Sequence, residues 1–330
     1  MIVYFDTVRR KRPVKKGGEL VQLDWSTKKI KKKVRLFPTD PTVKYDPNPR
    51  GNSRGGKGIL VTADEVYVGT YHTILVFDHN MKLKRRITNN LFVNIHEMCF
   101  SGENIWVSSA AIDCAVMVSM AGGTVKTWWP GEEGALQKRF GLTPAAIDKE
   151  ADNRVKHIHA EPGTKDGHTH LNGIMKSETG TYVLLNRLGV VVRIEPGVQI
   201  ILEDRLIKGG HSPVVSADGE QLILCSSFNK YVLFYDIKSG QLVKKIDLLD
   251  FKKVADLHKK HPDQPYNKSI FVRGLELIDK DRFLVGISPA SILEIDISRE
   301  KLLDFYQYSA DVGDAVHGLA HRREPTDYTD

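Results

Sequence analysis

Long apolar runs and more than a few cysteines are missing from this 330-residue chain. It has no run of about 18 apolar residues, which excludes a transmembrane helix. The start, Met1 to Asp6, shows no basic segment followed by an apolar stretch, so no signal peptide is expected. The three cysteines, Cys99, Cys114 and Cys225, are too few and too scattered for a disulfide framework or a zinc knuckle. Each lies in an apolar, strand-like run, where a free thiol behaves as a small buried hydrophobe. A reducing, cytoplasmic setting is the expectation.

Charge is also scarce over most of the chain. The formal total is +7. Residues 1–36 hold twelve Lys and Arg against Asp6, Glu19 and Asp24, which leaves the remainder at a net −2. The basic pI therefore belongs to one end. An apolar fraction of 41% and a charged fraction of 27% are globular values and exclude a disordered chain. The length allows one large domain or two ordinary ones.

What is present is a repeat. Blocks starting at Lys57, His96, Asn172, His211 and Arg273 follow one plan. A short apolar strand leads to a polar turn, then a second strand, small residues and a third strand. That third strand usually ends in an acid (Asp78, Glu195, Asp236, Asp296), before a turn and a charged fourth strand. Four antiparallel strands at this spacing define a β-propeller blade. Residues 2–37 match strands two to four of a sixth block, with Asp24 at the acidic position. The missing first strand is supplied by His317 to Ala320. The expectation is an all-β, six-bladed propeller over residues 1–330, closed by a blade shared between the two ends.

Three connections are long, at about 38–56, 131–168 and 249–270. All join a fourth strand to the next first strand, on the face where the first strands enter the channel, and long insertions there mark a binding face. Thr143 and Pro144 predict a helix N-terminus within the second insertion.

The first residues of the inner strands are Lys57, His96, Asn172, His211, Arg273 and His317, with His170 one strand period before Asn172. Four of the twelve histidines thus fall at equivalent points of four blades. Two chemistries suit the set. His96, His170, His211 and His317 can hold a divalent transition metal (Fe, Mn or Zn), since neutral imidazole prefers such ions to Ca²⁺ or Mg²⁺. Alternatively the imidazoles join Lys57 and Arg273 around a carboxylate or phosphate. The unspecialised alternative is polar residues satisfying one another and water at a channel mouth.

Other positions carry less. His157 and His159 read as a polar loop, and His168 with His170 as a second His-x-His pair. His72, His79, His258, His261 and His321 read as surface or turn residues. Trp128 and Trp129 read as outer-strand packing or as an apolar ligand wall. Glu97, Glu276 and Asp314 flank the channel as candidate general bases. Ser212 lacks a nucleophile elbow, and the segment Arg54 to Lys57 lacks phosphate-loop spacing. The basic start reads first as a solvated outer edge that discourages edge pairing. A nucleic-acid or membrane-surface patch is the weaker reading.

Three segments carry a family resemblance: His170-Leu171-Asn172-Gly173-Ile174, Gly210-His211-Ser212-Pro213, and Phe271 to Leu275 followed by Phe283 to Ser288. Over about residues 168–298 the chain resembles a bacterial β-propeller family of unassigned activity with HLNG, HSP and RGL signatures. The resemblance implies the propeller fold. It also implies a shared site at His170, Asn172, His211, Arg273 and Gly274, and names no reaction. The insertion at 131–168 and the basic start have no counterpart in it.

The resulting expectation is a metal-dependent small-molecule enzyme (lyase, hydrolase, isomerase or oxygenase). The four histidines are its metal ligands, and Lys57, Asn172 and Arg273 act on an anionic substrate. The rival is a non-catalytic propeller binding a peptide, an anionic metabolite or a protein. A monomer or weak oligomer without nucleic acid is expected.

Overall fold

Strands come here in two compositions, and composition decides how deep each one sits. The computed structural model describes residues 1–9, 17–37, 55–157, 168–263 and 269–322. The expectations for Arg10 to Arg12, His159 and most of the 38–56 insertion lie outside these residues. The strands are β1 (Ile2–Arg9), β2 (Glu19–Asp24), β3 (Lys29–Arg35), β4 (Ile59–Val61), β5 (Glu65–Gly69), β6 (Thr73–Asp78), β7 (Leu83–Thr88) and β8 (Ile95–Ser101). Next come β9 (Asn104–Ser109), β10 (Cys114–Ser119), β11 (Thr124–Trp128), β12 (Leu171–Ser177), β13 (Gly180–Leu185), β14 (Val190–Glu195), β15 (Gln199–Glu203) and β16 (His211–Val215). The last are β17 (Gln221–Ser226), β18 (Tyr231–Asp236), β19 (Leu242–Asp247), β20 (Arg273–Leu277), β21 (Arg282–Ile287), β22 (Ser291–Asp296), β23 (Lys301–Gln307) and β24 (Asp314–Arg322).

They form six four-stranded antiparallel sheets, five in chain order and one in the order β24-β1-β2-β3. The inner strands neighbour one another in the cycle β24, β4, β8, β12, β16, β20 and back to β24. The protein is a six-bladed β-propeller. The blade shared by both ends is present: β1 pairs with β24 from Ile2 opposite Arg322 to Arg9 opposite Asp314.

Second and third strands such as β13 and β22 bury every residue. Each blade is packed between two others, so both faces of these strands meet apolar surface and the usual alternation disappears. Six apolar clusters fill the six gaps between blades. In one, Ile223, Cys225 and Phe234 meet Phe283, Val285 and Leu293 of the next blade. Each such side chain contributes roughly 1.5–3 kcal/mol by burial. Fourth strands are wet instead: β3, with its four lysines, is exposed along nearly its whole length.

The acids that end the third strands of most blades close the following turn. Asp78 accepts from the amides of Asn80 and Lys82, and Asp236 from the amide and hydroxyl of Ser239. Asp24 does the same for Ser26 and Thr27, and its carboxyl is lowered to about 2, chiefly by the Ser26 hydroxyl. These are Asx turns, in which a short acid replaces a backbone acceptor.

Two expectations need correction. No helix begins at Thr143. Instead α1 spans Gly134–Phe140 and ends at Gly141 in the left-handed conformation. A Cβ on Gly131 would lie 2.3 Å from the Thr143 carbonyl oxygen, so Thr143 is in close tertiary contact with the start of this insertion, and the backbone at Thr143 and Pro144 is not helical. His72 is not a surface residue; it is 1% exposed, and its Nδ1 bonds Thr73 Oγ1. Two further helices, α2 (Asn153–Lys156) and α3 (Lys252–Lys260), lie in the long connections. Trp128 and Trp129 pack into two different inter-blade clusters, which is the packing role and not a ligand wall.

Candidate functional site

The inner strands deliver their first residues to the channel mouth by a shared irregularity. Register shifts fall between Ile95 and Met98, Leu171 and Gly173, His211 and Val214, and Arg273 and Leu275. A fifth, opposite Phe5 and Thr7, falls where β24 carries His317 and Gly318. A β-bulge re-aims the side chain beside it and is common next to sites. Ser212 (φ 51) and Gly274 (φ 66) take left-handed backbone for this purpose. Glycine is required at 274, where a Cβ would lie 2.6 Å from the His317 carbonyl oxygen.

This brings His96, His211 and His317 together. All three are buried, and one ligand atom of each lies within 4.8 Å of the others. Their ring centroids form a nearly equilateral triangle with sides of 5.4, 5.7 and 5.6 Å. Three imidazoles bound at ~2.1 Å in tetrahedral directions have centroids ~5–5.5 Å apart. His170 (φ 51) stands beside His96, ring centroids 5.3 Å apart, outside the set of three. The segment bearing it is fixed by Asp113, whose carboxylate accepts from the Thr169 amide and hydroxyl and from the Leu171 amide, all within 2.9 Å.

Tautomers and charge favour neutral rings. His211 Nδ1 faces the Gly209 carbonyl at 3.1 Å and Ser227 Oγ at 2.7 Å. With the proton on Nδ1, Nε2 is the basic nitrogen left for a ligand. His96 Nδ1 is buried and has no hydrogen-bond partner among the described residues. Burial, then Lys57, holds His96 well below the ordinary imidazole value; burial, then Arg273, does so for His211. Burial and then Arg187 lower His170 to about 3. Uncharged, convergent imidazoles are a donor set that fits a divalent transition ion.

Lys57 and Arg273 line the same cavity of about 210 Å³, together with His96, His170 and His211. The Lys57 ammonium donates to Asn94 Oδ1 and stands 5.5 Å from the Tyr71 ring centroid. The Arg273 guanidinium lies 4.2 Å from the Phe271 ring centroid. Asn172 is set behind this surface: fully buried, it donates to the Gly210 carbonyl at 3.0 Å and so braces the residue before His211.

Below the imidazoles is a layer that sequence reading left unranked. The residues following the channel-mouth positions are Gly58, Glu97, Gly173, Ser212, Gly274 and Gly318. Glu97 accepts from the Ser212 hydroxyl at 2.8 Å, and Ser212 in turn accepts from the Gly274 amide at 3.1 Å. Burial raises Glu97 to about 8. Asp6 accepts from the amides of Gly318 and Gly58 and is raised by burial to about 7. The other acids considered with Glu97 are occupied elsewhere, Glu276 with His321 and Asp314 with Arg9. Asp6, Asn94, Phe228 and Phe271 escaped the sequence reading. Two of them gave a signal: Asp6 as a lone acid in an otherwise apolar strand start, and Phe271 as the opening residue of one resemblance segment.

No family model and no curated protein matched the chain. Solved structures did. A protein of unknown function from Bacteroides caccae aligns over 96% of this chain and 98% of its own, with a TM-score of 0.58 at 12% identity. A chain of a nidogen/laminin complex gives 0.58 at 11% identity over 96% and 97%. A protein from Lactobacillus plantarum gives 0.51 at 11% over 93% and 82%. At these identities the likeness shows the fold alone. No helix among the described residues is long and apolar enough to cross a membrane.

Proposed function

We propose that the protein is a metal-dependent enzyme acting on a small anionic molecule at the channel mouth. The observation that carries this reading is the triangle of buried imidazoles from His96, His211 and His317, of which His96 and His211 are held in the neutral form by burial. Fe, Mn and Zn suit such a set, with His170 as an adjacent fourth imidazole. A divalent ion bound there supplies a Lewis acid or an activated water. Arg273 provides a planar fork for a carboxylate or phosphate. Lys57 adds a second positive charge, and Asn172 keeps the His211 turn in place. Lyase, hydrolase, isomerase and oxygenase chemistry are all consistent with this arrangement.

A second reading, a non-catalytic propeller holding an anionic metabolite, a peptide or a protein partner, is favoured by the same two cations. Elemental analysis of the purified protein separates the two. The metal reading expects about one ion per chain, a thermal midpoint lowered by chelator, and loss of both in His211→Ala. Absence of metal together with a chelator-insensitive midpoint leaves the binding propeller.

A further inference from the structure

One wall of the cavity is neither basic nor metal-ligating. Phe228 and Phe271 meet edge to face there, with centroids 5.2 Å apart and planes at 84°. The Phe271 centroid is 5.8 Å from that of His211, and the Arg273 guanidinium lies over the same ring. Phe228 is 46% exposed, although it borders a buried polar cluster. Its seat is Gly209 (φ +76), where a Cβ would come within 2.1 Å of the Phe228 ring. A half-exposed phenylalanine on a glycine seat, beside a cation and three imidazoles, is an apolar shelf inside an otherwise polar cup. The cavity is smaller than the roughly 300–1,000 Å³ that encloses drug-sized ligands. A bare phosphate or a small dicarboxylate has no apolar surface to cover that shelf. The tryptophan pair offers no second shelf, since Trp128 and Trp129 are spent on inter-blade packing.

We infer that the ligand of this site is a small carboxylate bearing an aromatic ring, with its carboxylate toward Arg273 and Lys57 and its ring on the Phe228–Phe271 shelf. This rests on, and narrows, the reading of the channel mouth as a metal-dependent anion site. Aromatic rings prefer edge-to-face and offset contacts, which the half-exposed Phe228 ring leaves available. The cation over Phe271 then places the acid group next to the shelf.

Calorimetric titration of the full chain with phenylacetate, acetate and benzyl alcohol tests this, as purified and after loading with Zn²⁺, with metal content measured in parallel. Phenylacetate is expected to bind at least about tenfold more tightly than either fragment. Phe228→Ala removes a half-exposed ring, so it leaves the core intact. It is expected to bring phenylacetate close to acetate without changing metal content, whereas Arg273→Gln weakens both acids. Equal affinity for the two acids overturns the inference, as does a metal-retaining protein that ignores phenylacetate. A protein that takes up no metal yet keeps the tenfold preference supports the aromatic acid and overturns the metal reading instead.

Discussion

Ser227 touches no proposed ligand, yet its hydroxyl at 2.7 Å from His211 Nδ1 helps to set which nitrogen of that ring faces the channel. Partners of this kind fix both tautomer and ring orientation, and losing one typically costs about 10–100-fold in metal affinity. Ser227→Ala should therefore bind Zn²⁺ more weakly by about that factor. Competition with a chromogenic chelator checks it, and unchanged affinity would deny Ser227 the orienting role and leave the Gly209 carbonyl as the group that fixes the ring. Titration gives a second handle at this scale. Glu97 near 8 and Asp6 near 7 keep their protons in the folded state and lose them near 4 when unfolded. Their burial therefore costs stability increasingly as pH rises from about 4 to 8. The buried imidazoles act in the opposite sense: lowered in the folded state, they favour unfolding as pH falls through about 6.5. The two effects offset each other below pH 6.5, and only the carboxyl effect remains above it. Metal-free protein should accordingly show a lower urea midpoint at pH 8 than at pH 6.5, with most of the decline absent in Glu97→Gln. A midpoint that rises over that interval contradicts the burial of these acids.

At the scale of elements, the entry to β12 is held by one carboxylate. Asp113 accepts three hydrogen bonds from Thr169 and Leu171, and those groups are buried. Asp113→Ala strands the donors, at roughly 1–3 kcal/mol for each one left unsatisfied. A fall of at least about 2 kcal/mol in chemical denaturation is expected, together with weaker metal retention if His170 contributes to the site. The elements also show where local rules stopped working. Strand period and turn acids were readable because Asp24, Asp78 and Asp236 act within a few residues of themselves. The helix expected at Thr143 had good local chemistry, but Gly131 approaches that backbone closely and no helix forms there. The bulges at His96, Asn172 and His211 were unreadable for a related reason: a one-residue shift against a partner strand leaves no periodic trace.

The whole molecule is a ring, so its cooperativity depends on closure. β24 supplies the inner strand of the shared blade and packs against β4 and β20 on either side. Deleting residues 315–330 should leave a chain without a cooperative thermal transition, as followed by circular dichroism. A deletion variant that melts like the parent would contradict closure by both ends. The +9 of residues 1–36 acquires a place at this scale: among the described residues its lysines cluster on β3, the outer strand of that blade. The two cations that line the channel-mouth cavity, Lys57 and Arg273, lie on other blades.

Sequence alone determined the number of blades, their closure and the equivalence of Lys57, His96, His211, Arg273 and His317. All of these follow from a short strand-and-turn period repeated along the chain. Only the tertiary structure decided which of those residues converge. Distances across a channel are set by how neighbouring blades pack, and strands far apart in sequence meet there. The triangle of His96, His211 and His317, the placement of His170 beside it, the Glu97–Ser212 layer beneath and the Phe228–Phe271 shelf all come from that closure.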